Sequence, residues 1–396
     1  MAHSQAVERG TATTPSVTSV ERVLEFADEQ IVRSAQALWP EAQIHVQEST
    51  PSITSYVRQV KVDGETLFAK VCFLGVSLVS VLRGACGDWP AVQQAHTAYS
   101  RSPGALLRRE AAQLTALRAA GLRVPRVAGC DGAVLLTQAV VGPTLAELIA
   151  REPLRTAELF EQVFAELTPA LRRAGAGGRT DSVLIGERSI AGTFQRKFNG
   201  LSGPTYLEHT GHGAVLAPVV ARLRTAKPLP VIPSLPLVFG DLKPEHVVRT
   251  PRGFAFLDPG LQRGWGNTDL AKLLSRTVLN LVSGSAAADD ARTTLASISR
   301  FVFLTRNRLD PDDRDVWLRH LVLLWLMDTT NILTTYLSAQ SGPEGLPLPE
   351  HGRGVVERAS VIAEMLEHAT ASMASRGTAS TWWRTCLDDA TWAMSA

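Results

Sequence analysis

Hydrophobic and polar residues alternate along residues 53–72, which is typical of β-strands rather than of helices. Within that stretch, Asp63-Gly64 separates Ile53–Val62 from Glu65–Cys72. An Asp-Gly pair between two alternating runs is the strongest short-range signal of a hairpin. Two further strands are predicted over 124–127 and 133–138. This part of the chain therefore predicts a small antiparallel sheet.

Apolar residues recur at helical spacing in most of the remaining chain. The clearest helix is Leu106–Ala120, whose leucines share one face and which is followed by Gly121 as a stop signal. The other predicted helices are 20–38, 156–174, 214–226, 268–284, 287–306, 313–337, 354–373 and 379–393. Between them, two short apolar runs at 237–239 and 254–257 predict small strands that hold loops.

These elements predict a two-lobed α+β protein. We expect a flexible N-terminus over 1–19, which is rich in Ser, Thr and Ala, and then an N-lobe over 20–138 with a small sheet and one main helix. An insertion covers about 73–103 of the N-lobe. A larger, mostly helical C-lobe follows over 139–396, starting with the capping-box pattern of Thr144 and Glu147.

Composition narrows the choice of function. The 396 residues include 40 basic and 38 acidic ones, giving a net charge of +2, so no strong field attracts nucleic acid or an anionic membrane surface. The longest apolar runs, Val71–Leu82 and Leu321–Met327, are too short to span a bilayer. We expect a cytoplasmic protein that binds neither nucleic acid nor membrane; its oligomeric state is not indicated.

The candidate chemistry lies in Val238–Gly260, VFGDLKPEHVVRTPRGFAFLDPG. Asp241 follows one apolar strand, His246 comes shortly after it, and Asp258 follows the next strand. At adjacent strand ends, His246 and Asp258 can converge on one divalent cation, which leaves Asp241 near an incoming hydroxyl. Phosphoryl transfer needs such a metal, together with a carboxylate that orients the nucleophile and accepts its proton.

The segments DLKPEH and LDPG resemble the catalytic and metal-binding motifs of the aminoglycoside phosphotransferase family, the small-molecule branch of the protein-kinase-like fold. The resemblance extends from about residue 45 to the C-terminal helices and is specific only at 238–271. It implies that Asp241 is the catalytic aspartate and that His246 and Asp258 bind the metal. Lys243 would neutralise charge on the transferring phosphoryl group.

The same resemblance implies a nucleotide site in the N-lobe. Lys70, at the end of TLFAK, would hold the nucleotide phosphates, and Glu110 would pair with it. In the loop at 48–55, phosphate donors would come from three hydroxyl residues: Ser49, Thr50 and Ser52. Asp269, in GNTDLAKLL, would brace the catalytic loop.

This chain departs from the family pattern at three places. Phe239 stands where a histidine is usual, the loop at 48–55 has no glycine, and His246 replaces an asparagine. The expected metal is Mg²⁺, with Mn²⁺ as the alternative because imidazole nitrogen suits it better. Lysine is rare here, at positions 61, 70, 197, 227, 243 and 272 only, so a lysine inside a motif is less readily a coincidence.

Asp328 and Asn331 share a face of the apolar helix Trp317–Tyr336. Two interpretations stay open, because a buried carboxylate needs a partner. The residues are either a satisfied polar pair of the core or part of the acceptor pocket.

The predicted function is an ATP- or GTP-dependent transfer of the γ-phosphate to a hydroxyl of a small molecule, such as an antibiotic, aminoglycoside, sugar or amino alcohol. The alternative is a pseudokinase that binds nucleotide or a partner without phosphoryl transfer. A protein kinase is disfavoured, because only residues 259–268 separate Asp258 from Asp269 and no APE-type motif follows. The one dense acidic run is Asp310–Asp315, which does not favour a polycationic acceptor.

Overall fold

A computed structural model of the chain describes residues 19–50, 52–82, 84–176, 178, 180–200, 203–226, 235–284, 286–340, 348–374 and 377–396. Apart from Ser19, the N-terminal segment predicted to be flexible lies outside these residues. The helices are α1 Val20–Leu38, α2 Leu78–Leu82, α3 Trp89–Arg101, α4 Leu106–Ala119, α5 Leu145–Arg151, α6 Thr156–Ala176, α7 Ile190–Lys197, α8 Gly203–Glu208, α9 Gly213–Thr225, α10 Thr268–Ser283, α11 Ala288–Asn307, α12 Asp313–Ala339, α13 Glu350–Glu357, α14 Ala359–Ala374 and α15 Ala379–Ser395. The strands are β1 Ile44–Thr50, β2 Tyr56–Val62, β3 Glu65–Val71, β4 Val127–Cys130, β5 Val134–Gln138, β6 Leu237–Val238, β7 Val247–Thr250, β8 Gly253–Phe256 and β9 Gln262–Arg263.

The N-lobe contains a five-stranded antiparallel sheet with the order β1-β2-β3-β5-β4. The predicted hairpin is confirmed: β2 and β3 are joined by Asp63 (φ 48°) and Gly64 (φ 84°), both in the left-handed region that a two-residue type I′ turn requires. Strand β1 was not predicted. It is an edge strand with no fully buried residue, so its sequence lacks a clear apolar alternation.

Helices cover the sheet and fix its position. Apolar residues of α1, including Val23, Ala27 and Ile31, are fully buried. Helix α4, the predicted main helix of the N-lobe, packs against β4 and β5 and carries Glu110 on its buried face. Together, α1, α4 and the sheet hold the end of β3 in a fixed place.

The insertion predicted at about 73–103 forms α2 and α3. Its aromatic residues pack on α1, where the rings of Phe73 and Trp89 lie against Phe26 at centroid distances of 6.1 and 5.4 Å. The backbone N–H of Leu78 donates to Thr54 O at 3.2 Å, so α2 is attached to the loop between β1 and β2. Helix α2 also contacts α12 of the C-lobe, so this part of the insertion connects the two lobes.

The C-lobe is built around α12, which is buried along most of its length and packs against α10, α15 and α7. The single helix predicted over 354–373 is wrong, because α13 ends at Glu357 and α14 begins at Ala359. A glycine at 354 lets α13 approach α10 closely, since a Cβ there would collide with the carbonyl of Ser283. Within the described ranges, no helix is long and apolar enough to cross a membrane.

Candidate active site

Phe239 and Gly240 begin a loop that is held in one conformation by its neighbours. Gly240 has φ 84°, and a Cβ there would collide with Gly260 O, so the position requires glycine. The Asp269 carboxylate accepts hydrogen bonds from the N–H groups of Phe239 (2.8 Å) and Gly240 (2.7 Å). Burial raises the pKa of Asp269 to about 6, against the effect of those two donors. Asp269 therefore lies where the bracing residue was predicted.

Asp241 follows this loop and is paired with two lysines. Lys243 Nζ lies 2.7 Å from Asp241 Oδ2, and Lys272 Nζ lies 3.2 Å from Oδ1. Burial by itself would raise the pKa of Asp241, but the two ammonium groups hold it well below its usual value. The carboxylate is thus ionised across the physiological range, with both oxygens directed by a cation.

Lys272 was not singled out from the sequence. It lies on α10 and is shared between Asp241 and Asp328, whose Oδ1 is 3.1 Å from Nζ. Arg276, one turn later, donates from Nε to Asp328 Oδ2 at 3.2 Å. All of these groups are buried or nearly so, and a buried ion network of this kind holds its members in fixed geometry. The sequence contained one indication of this role: lysine is rare in the chain, and Lys272 lies three residues after the predicted bracing residue Asp269.

This network decides how Asp328 is used. Its carboxylate is 1% exposed and both oxygens are bound by cations, so it stabilises Lys272 rather than lining an open surface. Asn331 is 3% exposed, and its Nδ2 donates to Ile190 O at 3.2 Å. The geometry favours the core interpretation for Asp328. Asn331 is buried as well, but its Oδ1 has no hydrogen-bond partner among the described residues. Contact with an acceptor remains a prediction for each.

Asp241, His246 and Asp258 form a compact cluster of metal-ligating groups. One ligand atom from each lies within 4.8 Å of the others. His246 Nδ1 is 3.9 Å from Asp258 Oδ2 and is a buried ring nitrogen with no hydrogen-bond partner among the described residues. Burial and the charge of Lys243 lower the pKa of His246 to about 4, so the ring is neutral at physiological pH. A neutral imidazole and two carboxylates fit a divalent cation.

Asp258 connects this cluster to the N-lobe. It has φ 56°, a left-handed conformation that directs its carboxylate towards both His246 and Lys70. Lys70 Nζ contacts Asp258 and also bonds the two Glu110 oxygens at 2.9 and 2.8 Å. Burial disfavours the Lys70 charge, but Asp258 and Glu110 raise the pKa of Lys70 above its usual value. Burial raises the pKa of Glu110 to about 7, and the charge of Lys70 opposes that rise.

The three hydroxyl residues predicted to contact phosphate lie at the end of β1 and in the loop after it. The strand register places Thr50 opposite Val57 and Val57 opposite Lys70, so Thr50 and Lys70 share one row and one face of the sheet. Ser49 and Thr50 are exposed, whereas Ser52 Oγ accepts from the N–H groups of Thr54 and Ser55 at 3.4 Å. Their phosphate contacts remain a prediction.

Two described cavities lie away from this cluster. One, of about 340 Å³, is between α6 and α11, and the other, of about 420 Å³, lies behind β6. Neither is lined by Asp241, His246 or Asp258. The candidate active site is therefore separate from these two cavities.

Comparison with known proteins gives structural matches only. No protein-family model matches the chain, and no curated protein matches its sequence. The fold is similar to that of an amicoumacin kinase in complex with AMP-PNP, Ca²⁺ and Ami, with 15% identity and a TM-score of 0.53 over 88% of this chain and 96% of that one.

Two further matches have lower scores. A GDP complex of aminoglycoside 2′-phosphotransferase-IIIa has 13% identity and a TM-score of 0.48 over 86% of this chain and 98% of that one. An ethanolamine kinase from Plasmodium vivax has 9% identity and a TM-score of 0.42 over 82% and 84%. The amicoumacin kinase match shows the fold, so the predicted two-lobed kinase-like α+β architecture is confirmed.

Proposed function

We propose that this protein is a phosphotransferase of the aminoglycoside phosphotransferase family, which moves the γ-phosphate of ATP or GTP to a hydroxyl of a small molecule. The observation that carries the proposal is the meeting of two groups of residues in one cleft. Lys70 and Glu110 come from the N-lobe, and Asp241, His246 and Asp258 come from the C-lobe. The two groups are joined through Asp258.

Each residue has a distinct part in the proposed reaction. Lys70, oriented by Glu110, binds the nucleotide phosphates. Asp241 accepts a hydrogen bond from the acceptor hydroxyl and takes its proton. The two lysines beside it hold its pKa low, so the carboxylate is ionised and able to accept that hydrogen bond. Lys243, beside Asp241, offsets charge on the transferring group.

His246 and Asp258, with Asp241 beside them, would hold Mg²⁺ or Mn²⁺. A divalent cation supplies charge screening between the nucleotide and the nucleophile. His246 is ready to bind it because burial keeps the ring unprotonated, so no proton has to leave on binding.

The acceptor is a small molecule rather than a protein, because residues 259–268 leave no room for a protein-kinase activation segment. The acidic run Asp310–Asp315 does not reach the site. Asp315 lies thirteen residues before Asp328 on α12, about 20 Å away along the helix axis. A polycationic acceptor would need acidic residues near the site, so this distance disfavours an aminoglycoside. The other proposed acceptors, antibiotics of other classes, sugars and amino alcohols, have no such need.

The test is turnover with a panel of hydroxyl compounds from these classes, with ATP or GTP and with Mg²⁺ or Mn²⁺. We expect acceptor-dependent release of nucleoside diphosphate and a product that is heavier by one phosphoryl group in mass spectrometry. Binding of a non-hydrolysable nucleotide, measured by calorimetry, accompanies each assay. Nucleotide binding without turnover of any acceptor class would instead support the pseudokinase.

A further inference from the structure

Arg188 enters the cleft from the C-lobe, on the side facing the nucleotide residues. It ends a short 3₁₀ turn, Gly186–Arg188, directly before α7. Its Nη2 lies 3.5 Å from the sulfur of Cys72, which follows Lys70 by two residues at the end of β3. The guanidinium therefore lies beside the nucleotide-binding end of the N-lobe sheet, although its backbone belongs to the other lobe.

The charges around Arg188 include carboxylates of the proposed active site as well as the neighbouring Glu187. Asp258, Glu110 and Asp241 all act electrostatically on its guanidinium, and Arg188 acts in turn on Lys70. None of these carboxylates comes within 4 Å of it in the described structure, whereas Lys70, Lys243 and Lys272 each have an ion pair.

The hydrogen-bonding capacity of Arg188 is largely unused by the described part of the protein. A guanidinium has five N–H donors, and the one described contact of its side chain is to the thiol of Cys72, a weak acceptor. Burial raises the pKa of that thiol, so it carries no charge that could neutralise the arginine. A partly buried guanidinium without a carboxylate partner is a site for an anion.

The turn that carries Arg188 is fixed to both sides of the cleft. Ile185 N donates to Leu261 O at 2.7 Å, shortly after Asp258 in the chain. On the other side, Arg109 Nη1 donates to Leu184 O at 2.7 Å, and Arg109 also pairs with Glu187. Because Arg109 precedes Glu110 on α4, the backbone of the turn that carries Arg188 is linked to the Lys70–Glu110 pair.

We propose that Arg188 binds the γ-phosphate and stabilises its charge during transfer; this inference rests on the proposed function. In that step, the γ-phosphorus loses its bond to the β–γ bridging oxygen and gains one to the acceptor oxygen. The acceptor proton passes to Asp241, and the nucleoside diphosphate leaves. The γ-phosphate of the nucleotide is thus the anionic partner of Arg188. It would lie between Lys70, Asp258 and Asp241, where the phosphoryl group is transferred.

The test compares triphosphate with diphosphate and needs no knowledge of the acceptor. Affinities for AMP-PNP and ADP are measured by calorimetry with Mg²⁺ for the wild-type chain, Arg188→Gln and Arg188→Lys. For Arg188→Gln, we expect AMP-PNP affinity to fall tenfold to a hundredfold, the effect of losing charge-assisted hydrogen bonds to the γ-phosphate. ADP has no γ-phosphate, so its affinity should change little. Arg188→Lys, which keeps the positive charge, should retain part of the wild-type preference for AMP-PNP over ADP.

Arg196→Gln is the matched control. Arg196 lies on the exposed side of α7 and binds the backbone of the same turn through Glu187 O, but it does not reach the cleft. It should keep the wild-type ratio of AMP-PNP to ADP affinity, and thermal unfolding of each variant reports whether it is folded. An unchanged ratio in folded Arg188→Gln, or equal loss of both affinities, overturns the assignment. If the wild-type chain binds neither nucleotide, the proposed function itself fails.

Discussion

The two sides of the cleft are built in different ways. On the N-lobe side, Lys70 is shared by two carboxylates, Glu110 of the same lobe and Asp258 of the C-lobe. The C-lobe side has the reverse arrangement, with Lys243 and Lys272 on the single carboxylate of Asp241. An excess of carboxylate around Lys70 fixes the lysine for binding phosphate. An excess of ammonium around Asp241 keeps that carboxylate ionised and oriented for a hydroxyl.

The two sides also differ in what supports them. Lys70 is supported by a strand and one helix, whereas Asp241 is supported by Lys272, Asp328 and Arg276 deep in the helical core. Substitutions on the N-lobe side should therefore reduce nucleotide affinity more than they reduce the rate of the chemical step. Substitutions on the C-lobe side should reduce turnover or the free energy of unfolding. The following predictions test that division.

The largest effect is expected for Asp241→Asn. The amide cannot accept the hydroxyl proton, so turnover should fall by about 10² to 10⁴, while nucleotide affinity changes little. Turnover and calorimetric affinity are measured on the same preparation. Wild-type turnover in this variant would show that Asp241 is not the proton acceptor. It would also contradict the assignment of the chemical step to the C-lobe side.

Lys272→Met should lower the stability of the C-lobe. It leaves Asp328 with Arg276 alone and removes one of the cations on Asp241, and breaking a buried ion network costs about 3 kcal/mol. Denaturant unfolding measures the free energy. Lys61→Met is the control, because Lys61 is exposed on β2 and should leave the unfolding free energy unchanged. Equal stability of both variants would show that the network does not support the fold.

Lys70→Ala should mainly weaken nucleotide binding. Loss of its charge-assisted hydrogen bonds to phosphate is expected to reduce affinity by about tenfold to a hundredfold. Lys61→Ala, in the same lobe, is the matched control and should bind as the wild type does. If Lys70→Ala binds nucleotide with wild-type affinity but turns over slowly, Lys70 acts in the chemical step. Nucleotide binding and chemistry would then not be divided between the two sides of the cleft.

A smaller, pH-dependent effect should distinguish buried from exposed histidines. His320 is 3% exposed in the C-lobe, and burial lowers its pKa to about 3. Because the unfolded chain takes up a proton near pH 6.5 and the folded chain does not, stability is complete above that pH and is lost as pH falls towards 3. At pH 5 the loss from this group is about 2 kcal/mol.

Unfolding free energies at pH 7.5 and pH 5 measure this loss. His320→Gln should show a smaller decrease between the two pH values than the wild type does. His45→Gln, which changes an exposed histidine of β1, should retain the full decrease. An equal decrease in all three proteins would assign the pH dependence to other groups.

The smallest expected effect concerns metal choice at the point where the two sides meet. His246→Asn replaces a nitrogen ligand with an oxygen ligand, which Mg²⁺ prefers. The ratio of turnover with Mn²⁺ to turnover with Mg²⁺ should fall a few-fold, less than about 1.4 kcal/mol in free energy. Turnover of both proteins with each metal gives the ratio directly. The same ratio in both proteins would show that His246 does not bind the metal.

Much of the fold could be predicted from the sequence because it depends on near neighbours in the chain. The Asp63-Gly64 turn, helices α1 and α4 and the capping box at Thr144 follow from spacing and local backbone preference. Edge strand β1 and the division of α13 from α14 could not be predicted, because they depend on what packs against them. Helix α7 was missed as well, and with it the place of Arg188.

The active site divides in the same way. By itself, the sequence determined that Asp241, His246 and Asp258 lie close together. His246 and Asp258 flank the short β7–β8 hairpin, and Asp241 precedes His246 by five residues. Only the tertiary structure decided that Lys272 joins Asp241 to Asp328, and that Arg188 reaches Cys72 from the opposite lobe. The physical reason is separation along the chain. Contacts between distant residues are fixed by how helices and sheet pack together, and no local pattern of residues records that packing.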